Sequence, residues 1–419
     1  MDNFLDKIFF RSRNLDYISQ NLINLTTQTP AKRIFEALNT YSESSEVRYV
    51  GGCVRKVIKK ETVDDIDLAT NLVPSEVCDA LKKQNINFYE TGIQHGTITA
   101  IIDDQKYEIT SLRKDVSTDG RHAKVEFSSD WKEDAARRDF SINSIYSDKD
   151  GNLFDPYNGK KDLESGNINF IGDSENRIKE DYLRILRYVR FFINYSNQSH
   201  DLNIIKKIKK NIGGISKLSS ERLLDEFKKL TRSNAFLKIF NDKISLELIE
   251  IIFPQLKNLE NFKKLNSYAI DNLAKVDFIF LLSLLIVDGS DNTDYFLYKF
   301  NISKKDQKRL KLIDFFYKEN VSIKNFNKIF YYTGKQTVID IINYKLFTSS
   351  KVEKKLLKLI KIYKEKVIPI LPIEAKTLMT NYNIPEGKML GNKLKLIEET
   401  WVQNNFQISD KQIKKIIKS

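Results

Sequence analysis

The chain has 419 residues, 41% hydrophobic and 30% charged, with only 15 glycines and 7 prolines, which describes a folded globular protein with room for two to four packed units. A net charge of +13 points to an anionic partner, and nucleic acid is favoured over membrane because the longest apolar run, residues 278–287, is too short to cross a bilayer. Two cysteines (Cys53, Cys78), three scattered histidines (His95, His122, His200) and no Walker-type loop exclude a disulfide framework, a zinc site, a histidine–metal hydrolase centre and a P-loop, while an N-terminus without signal or transit character makes the cytoplasm the expected compartment.

In chain order, residues up to about 25 read as helical, residues 26–30 as a break and residues 31–40 as a second helix. A short strand over 47–50 runs into the glycine pair Gly51-Gly52, whose backbone can approach a phosphate closely ahead of a short helix. After twelve intervening residues, Asp65-Ile66-Asp67-Leu68 reads as a strand carrying carboxylates at i and i+2, which share one face. A helix over 74–84 follows, then strands near 86–89, 97–102 and 106–112, with Gly96 and Asp103-Asp104 as turn punctuation. Beyond about residue 172 the periodicity is that of amphipathic helices, over 177–195, 221–230, 277–287, 304–317 and 351–366. Pro369 and Pro372 interrupt it, and residues 383–391 read as a loop before a last helical stretch. The pattern is that of an α+β protein: a mixed opening followed by a long helical remainder.

Two converging carboxylates can hold hard cations such as Mg²⁺, which activate an attacking hydroxyl and stabilise a leaving pyrophosphate. Asp65 and Asp67 therefore suggest nucleotidyl transfer, although a lone Asp-x-Asp is also common in exposed turns. Glu108, on a strand that can pair back toward them, could help align or deprotonate a 3′-hydroxyl, or be an exposed strand charge. Arg137, Arg138, Asp139 and Asn143 suit phosphate and ribose, since guanidinium forks match phosphate oxygens and a carboxylate accepts from a hydroxyl. The plainer alternative is a charge cluster at a helix start. Asp181 and Arg184, with Arg187 one turn on, could be a surface i, i+3 ion pair. They could also read bases, because an acceptor beside a donor complements cytosine and adenine and leaves buried groups unpaired against guanine and uracil.

Together these residues resemble the bacterial-type (class II) tRNA nucleotidyltransferases of the CCA-adding/poly(A) polymerase family, within the polymerase-β-like superfamily. The resemblance rests on Gly51-Gly52-Cys53-Val54-Arg55 with Asp65-Ile66-Asp67-Leu68-Ala69-Thr70, and on Arg137-Arg138-Asp139-Phe140-Ser141-Ile142-Asn143. Asp155-Pro156-Tyr157-Asn158-Gly159, Glu180-Asp181-Tyr182-Leu183-Arg184 and Ser220-Glu221-Arg222-Leu223-Leu224-Asp225-Glu226-Phe227 follow in family order. It implies a nucleotidyltransferase head with a small mixed sheet (1–150), then an all-helical neck that recognises the base (151–235), a body (236–330) and a tRNA-binding tail (331–419). It implies ATP and CTP as substrates, the tRNA 3′ end as primer and its elbow as a tail contact. Gly51, Gly52, Arg55, Arg137, Arg138, Asp139, Asn143, Asp181, Arg184 and Arg187 would bind nucleotide. A flexible loop over 115–127, with Asp115, Arg121 and His122, would help switch from C to A. Lys56 departs from the acidic residue usual there and puts local support of the metal site in question. A poly(A) polymerase or A-adding enzyme on the same fold, and a non-catalytic RNA-binding module, are the alternatives.

Overall fold

The first helices follow from a cap and an apolar stripe. In the computed structural model, which describes residues 16–118 and 123–418, Asp16 accepts the Ser19 N–H at 2.8 Å and starts α1, Tyr17–Thr27. Helix α2, Ala31–Asn39, buries Ala31, Ile34, Phe35 and Leu38, the i, i+3, i+4, i+7 spacing of one helix face. The chain then runs through β1 (Val47–Val50), α3 (Gly52–Ile58), β2 (Ile66–Thr70), α4 (Pro74–Lys83), β3 (Asn87–Gly92), β4 (Thr97–Ile102) and β5 (Gln105–Ser111). Next come β6 (Arg113–Thr118), β7 (Ala123–Phe127), α5 (Trp131–Ala136), β8 (Tyr146–Ser147) and β9 (Leu153–Phe154). Helices α6 (Gly159–Ser165), α7 (Ser174–Glu180), α8 (Leu183–Tyr195), α9 (Leu202–Asn211) and α10 (Ser220–Thr231) follow.

The chain divides into two compact units, Met1–Leu230 and Thr231–Ser419. In the first, seven strands form a sheet of order β3-β4-β5-β2-β1-β8-β9, with a separate β6-β7 pair. Every described pairing in the larger sheet is antiparallel except β2 with β5, which run parallel in the register Asp67↔Glu108 and Leu68↔Ile109. Both faces of β2 are covered: Leu68 packs in the cluster with Ile98, Tyr107 and Ile109, and Ala69 packs with Val50, Leu112, Ala135 and Tyr146. Strands β6 and β7 lie where a flexible loop was expected; Arg121 and His122 of that loop fall outside the described residues.

One expected helix is two. The apolar period of residues 177–195 runs on without interruption, yet the backbone leaves the helical region at Asp181 (φ −152°, ψ 105°), between α7 and α8. Asp181 Oδ1 accepts the Leu183 N–H at 3.1 Å, so a local side-chain bond competes with continuation of the helix.

The regular elements of the second unit's described residues are all helices: α11 (Lys243–Ile252), α12 (Ser267–Asn272), α13 (Phe278–Ile286), α14 (Asn292–Lys299), α15 (Lys304–Lys318), α16 (Phe326–Thr333), α17 (Lys335–Thr348), α18 (Lys354–Glu365), α19 (Ala375–Tyr382), α20 (Lys388–Gln403) and α21 (Asp410–Lys418). Helix α20 begins at Lys388, inside the stretch expected to be loop. Separate apolar clusters form around Phe326, Phe330 and Ile342 and around Leu378, Ile397 and Ile413. Residues 1–230 carry 36 basic and 36 acidic side chains, so the whole net charge of +13 belongs to residues 231–419. No described helix is long and apolar enough to cross a membrane.

Candidate active site

A cleft of about 420 Å³ opens in the first unit between the α3 end of the sheet and α8. Gly51, Gly52, Arg55, Asp67, Arg137, Arg138, Asp139, Asn143, Asp181, Arg184 and Arg187 all line it, joined by Leu183, Arg190, Phe191 and Arg222. Seven arginines face three aspartates in this lining, a balance suited to a polyanion.

Gly51 turns the chain from β1 into α3 at φ +67°, and a Cβ there would lie 3.5 Å from the Asn143 carbonyl and 3.6 Å from Arg138 Nη1. A Cβ on Gly52 would sit 3.7 Å from Asp67 Oδ2, so backbone borders the carboxylate directly. Asp67 is half-buried and Glu108, opposite it in register, is exposed. Asp65 is exposed and precedes the first hydrogen-bonded residue of β2, so it borders that strand instead of lying within it. Burial raises the Asp67 carboxyl above the usual carboxylate range, and the charges of Glu108 and Asp65 add to the rise against the opposing Arg138 and Arg55. A divalent cation would relieve this crowding of negative charge, so the donor set fits one. Among the described residues no three or more His, Cys, Asp or Glu side chains form a ready-made ion cage.

The arginines are held by carboxylates, one of which, Asp134, lies outside the sequence motifs. Asp134, 1% exposed within α5, accepts from Arg137 Nε at 2.8 Å, Arg138 Nη2 at 3.1 Å and the Tyr146 hydroxyl at 2.6 Å. Burial alone would raise its pKa, but the two guanidiniums overcome that and hold it at about 2. Asp139 accepts from Arg187 Nε at 2.6 Å and Asn143 Nδ2 at 2.8 Å, and Arg187 keeps its carboxyl well below the usual range despite burial. Asn143 in turn accepts from Arg55, whose guanidinium lies 5.0 Å from the Phe191 ring centre. Asp139 is thus already saturated by protein donors, a different situation from the helix-start cluster or free ribose acceptor considered above.

Asp181 and Arg184 do not pair with each other. Asp181 Oδ2 accepts from Arg222 Nη2 of α10 at 2.7 Å, while Arg184 Nη1 donates to Glu180 Oε2 at 2.7 Å and to the Arg177 carbonyl at 2.8 Å. The surface i, i+3 ion pair is therefore excluded, because the break at Asp181 takes the two residues off one continuous helix. Arg184, Arg187 and Arg190 recur every three residues on α8 and turn one charged face toward the cleft, with Arg190 bonded to the buried Glu226 of α10. Lys56 pairs with Asp64, beside Asp65, and draws the Asp64 pKa down.

A family model described as "Poly A polymerase head domain" matches residues 47–169, and one described as "Probable RNA and SrmB- binding site of polymerase A" matches residues 201–260. The fold and the arginine-lined cleft thus define a nucleotidyltransferase built on the poly(A) polymerase head. Over 391 residues the chain is 32% identical to "CCA tRNA nucleotidyltransferase 1, mitochondrial" of Homo sapiens, covering 90% of this chain and 87% of the human one. It is 28% identical to the "CCA-adding enzyme" of Bacillus subtilis, covering 88% and 93%. The crystal structure of the Bacillus stearothermophilus CCA-adding enzyme in complex with CTP superposes with a TM-score of 0.72 at 20% identity, covering 93% and 96%. The chain belongs to the CCA tRNA nucleotidyltransferase family.

Proposed function

We propose that the chain extends tRNA 3′ ends by C, C and A without a nucleic-acid template, taking CTP and ATP and using Mg²⁺. The carrying observation is a single cleft lined by Asp67, Asp181 and Arg184 together with six further arginines. Asp65 and Asp67 would hold the metal, with Glu108 assisting at the primer hydroxyl. When bound, the ion supplies an activated 3′-oxygen and a stabilised pyrophosphate leaving group. Arg137 and Arg138, held in place by Asp134, are positioned to grip triphosphate oxygens. Asp139 fixes Asn143 and Arg187, so that the ribose meets a rigid polar wall. Asp181 accepts from, and Arg184 donates to, the Watson–Crick edge of C or A, and a G or U in that place leaves both unpaired. The basic second unit suits sequence-independent contact with the tRNA backbone, with residues 331–419 as the segment reaching the elbow. Both cysteines are free and buried, in keeping with a reducing compartment, and we assign the cytoplasm.

The test supplies tRNAs ending at the discriminator base, at C or at CC with Mg²⁺ and CTP and ATP, separately and together, and then sequences the products. Completion of CCA on the shortest primer is expected. Long A tails on unrelated RNA would assign a poly(A) polymerase, A addition restricted to CC ends an A-adding enzyme, and inert protein an RNA-binding module.

A further inference from the structure

We infer that Gly214 is a positioning residue for base selection, acting through Tyr182. Tyr182 is the junction residue between α7 and α8, flanked by Asp181 on one side and, two residues on, by Arg184. The turn over Ile212–Lys217 that leads into α10 runs against its ring. A Cβ placed on Gly214 would overlap that ring at Cδ1, Cε1 and Cζ together, whereas a Cβ on the adjacent Gly213 meets nothing within 4 Å. Neither glycine has a positive φ, so alanine suits the backbone at both and only the space differs. Lys217, from the same turn, places its ammonium 5.8 Å from the Tyr182 ring centre. Five residues after Lys217, Arg222 holds Asp181 itself. Residues 214–222 therefore fix both residues of the junction, one by shape and one by charge. Filling the space at Gly214 must displace the ring, and with it the junction that spaces the Asp181 acceptor from the Arg184 donor.

The inference rests on the reading that Asp181 and Arg184 choose the base, and the experiment separates the two. Full-length Gly214→Ala, Gly213→Ala and Asp181→Ala proteins are assayed for incorporation of CTP, ATP, GTP and UTP on tRNA ending at the discriminator base or at CC. Gly214→Ala is expected to lower the ratio of correct to incorrect kcat/KM by roughly tenfold or more, since displacements of about 1 Å at a reacting geometry can cost that much. Gly213→Ala is expected to leave the ratio unchanged. In a Tyr182→Ala background, where the ring is gone, Gly214→Ala should add no further loss, a coupling that a merely destabilised turn would not produce. If Gly214→Ala does not fold, Tyr182→Leu, which vacates part of the same space, should lower selectivity in its place. Retained discrimination in Asp181→Ala overturns the reading of the site. Relaxed discrimination in Asp181→Ala with an unchanged ratio in Gly214→Ala, or equal losses from Gly214→Ala in both backgrounds, overturns the role of Gly214.

Discussion

Replacing Asp134 by asparagine tests whether the cleft's arginines are held from behind. The carboxylate is 1% exposed and takes bonds from Arg137, Arg138 and Tyr146, none of which an amide oxygen can match as a charge partner. The two guanidiniums hold its carboxyl at about 2, against 3.8 when free, which corresponds to about 2 kcal/mol of stabilisation near neutrality. Because the folded value lies below the unfolded one, this contribution is present above the unfolded pKa and lost as pH falls through the folded one. Two arginine side chains 15% and 18% exposed would also lose their partner. Water reaches them, so the loss should stay near the lower end of the roughly 3–5 kcal/mol seen when buried ion pairs are broken. Urea unfolding of both proteins from about pH 7 down to about pH 2 is the assay. The stability gap should be largest near neutrality and shrink as Asp134 of the unaltered protein becomes protonated. A gap that is absent near neutrality, or that stays constant to the acid end, would refute the electrostatic account. The same variant should raise the KM for CTP and ATP.

Asp67→Asn should abolish incorporation of either nucleotide; unchanged turnover would reject the metal assignment. Since the Asp67 pKa is raised, its charge destabilises the fold increasingly as pH rises through the folded value, so in EDTA the same variant should melt at a higher temperature than the unaltered protein near neutrality. Arg184→Ala should admit GTP and UTP, and discrimination like that of the unaltered protein would remove it from the base-reading pair. Raising salt from about 50 to about 200 mM should weaken tRNA binding by roughly a thousandfold if six or more phosphates are contacted, and a flat response would exclude backbone contact by the basic second unit.

The residues legible in the sequence are those whose meaning lies in close spacing. Asp65, Asp67 and the glycine pair declare themselves within seventeen positions, and the change from strand alternation to helical period marks the α+β plan. Partners that come from far along the chain were invisible. Nothing near Asp181 announces Arg222, forty-one residues away, nor does anything near Arg190 announce Glu226. Asp134 was within reach, because it stands three and four residues before Arg137 and Arg138 on a short helix. The junction at Asp181 was missed because apolar periodicity continues across it, and the one local signal was an aspartate able to bond the backbone just ahead of a helix.

The parallel pairing of β2 with β5 has a consequence for how the carboxylates are kept true. Glu108 faces Asp67 only in the register that also sets Leu68 beside Ile109, both fully buried. A slip of one residue would turn Glu108 to the opposite face and expel Tyr107 and Ile109 from the core. The oily residues between the acids thus act as an alignment gauge. A chain that misassembles its chemistry must also misassemble its interior, and a properly packed interior cannot carry a misregistered pair of carboxylates.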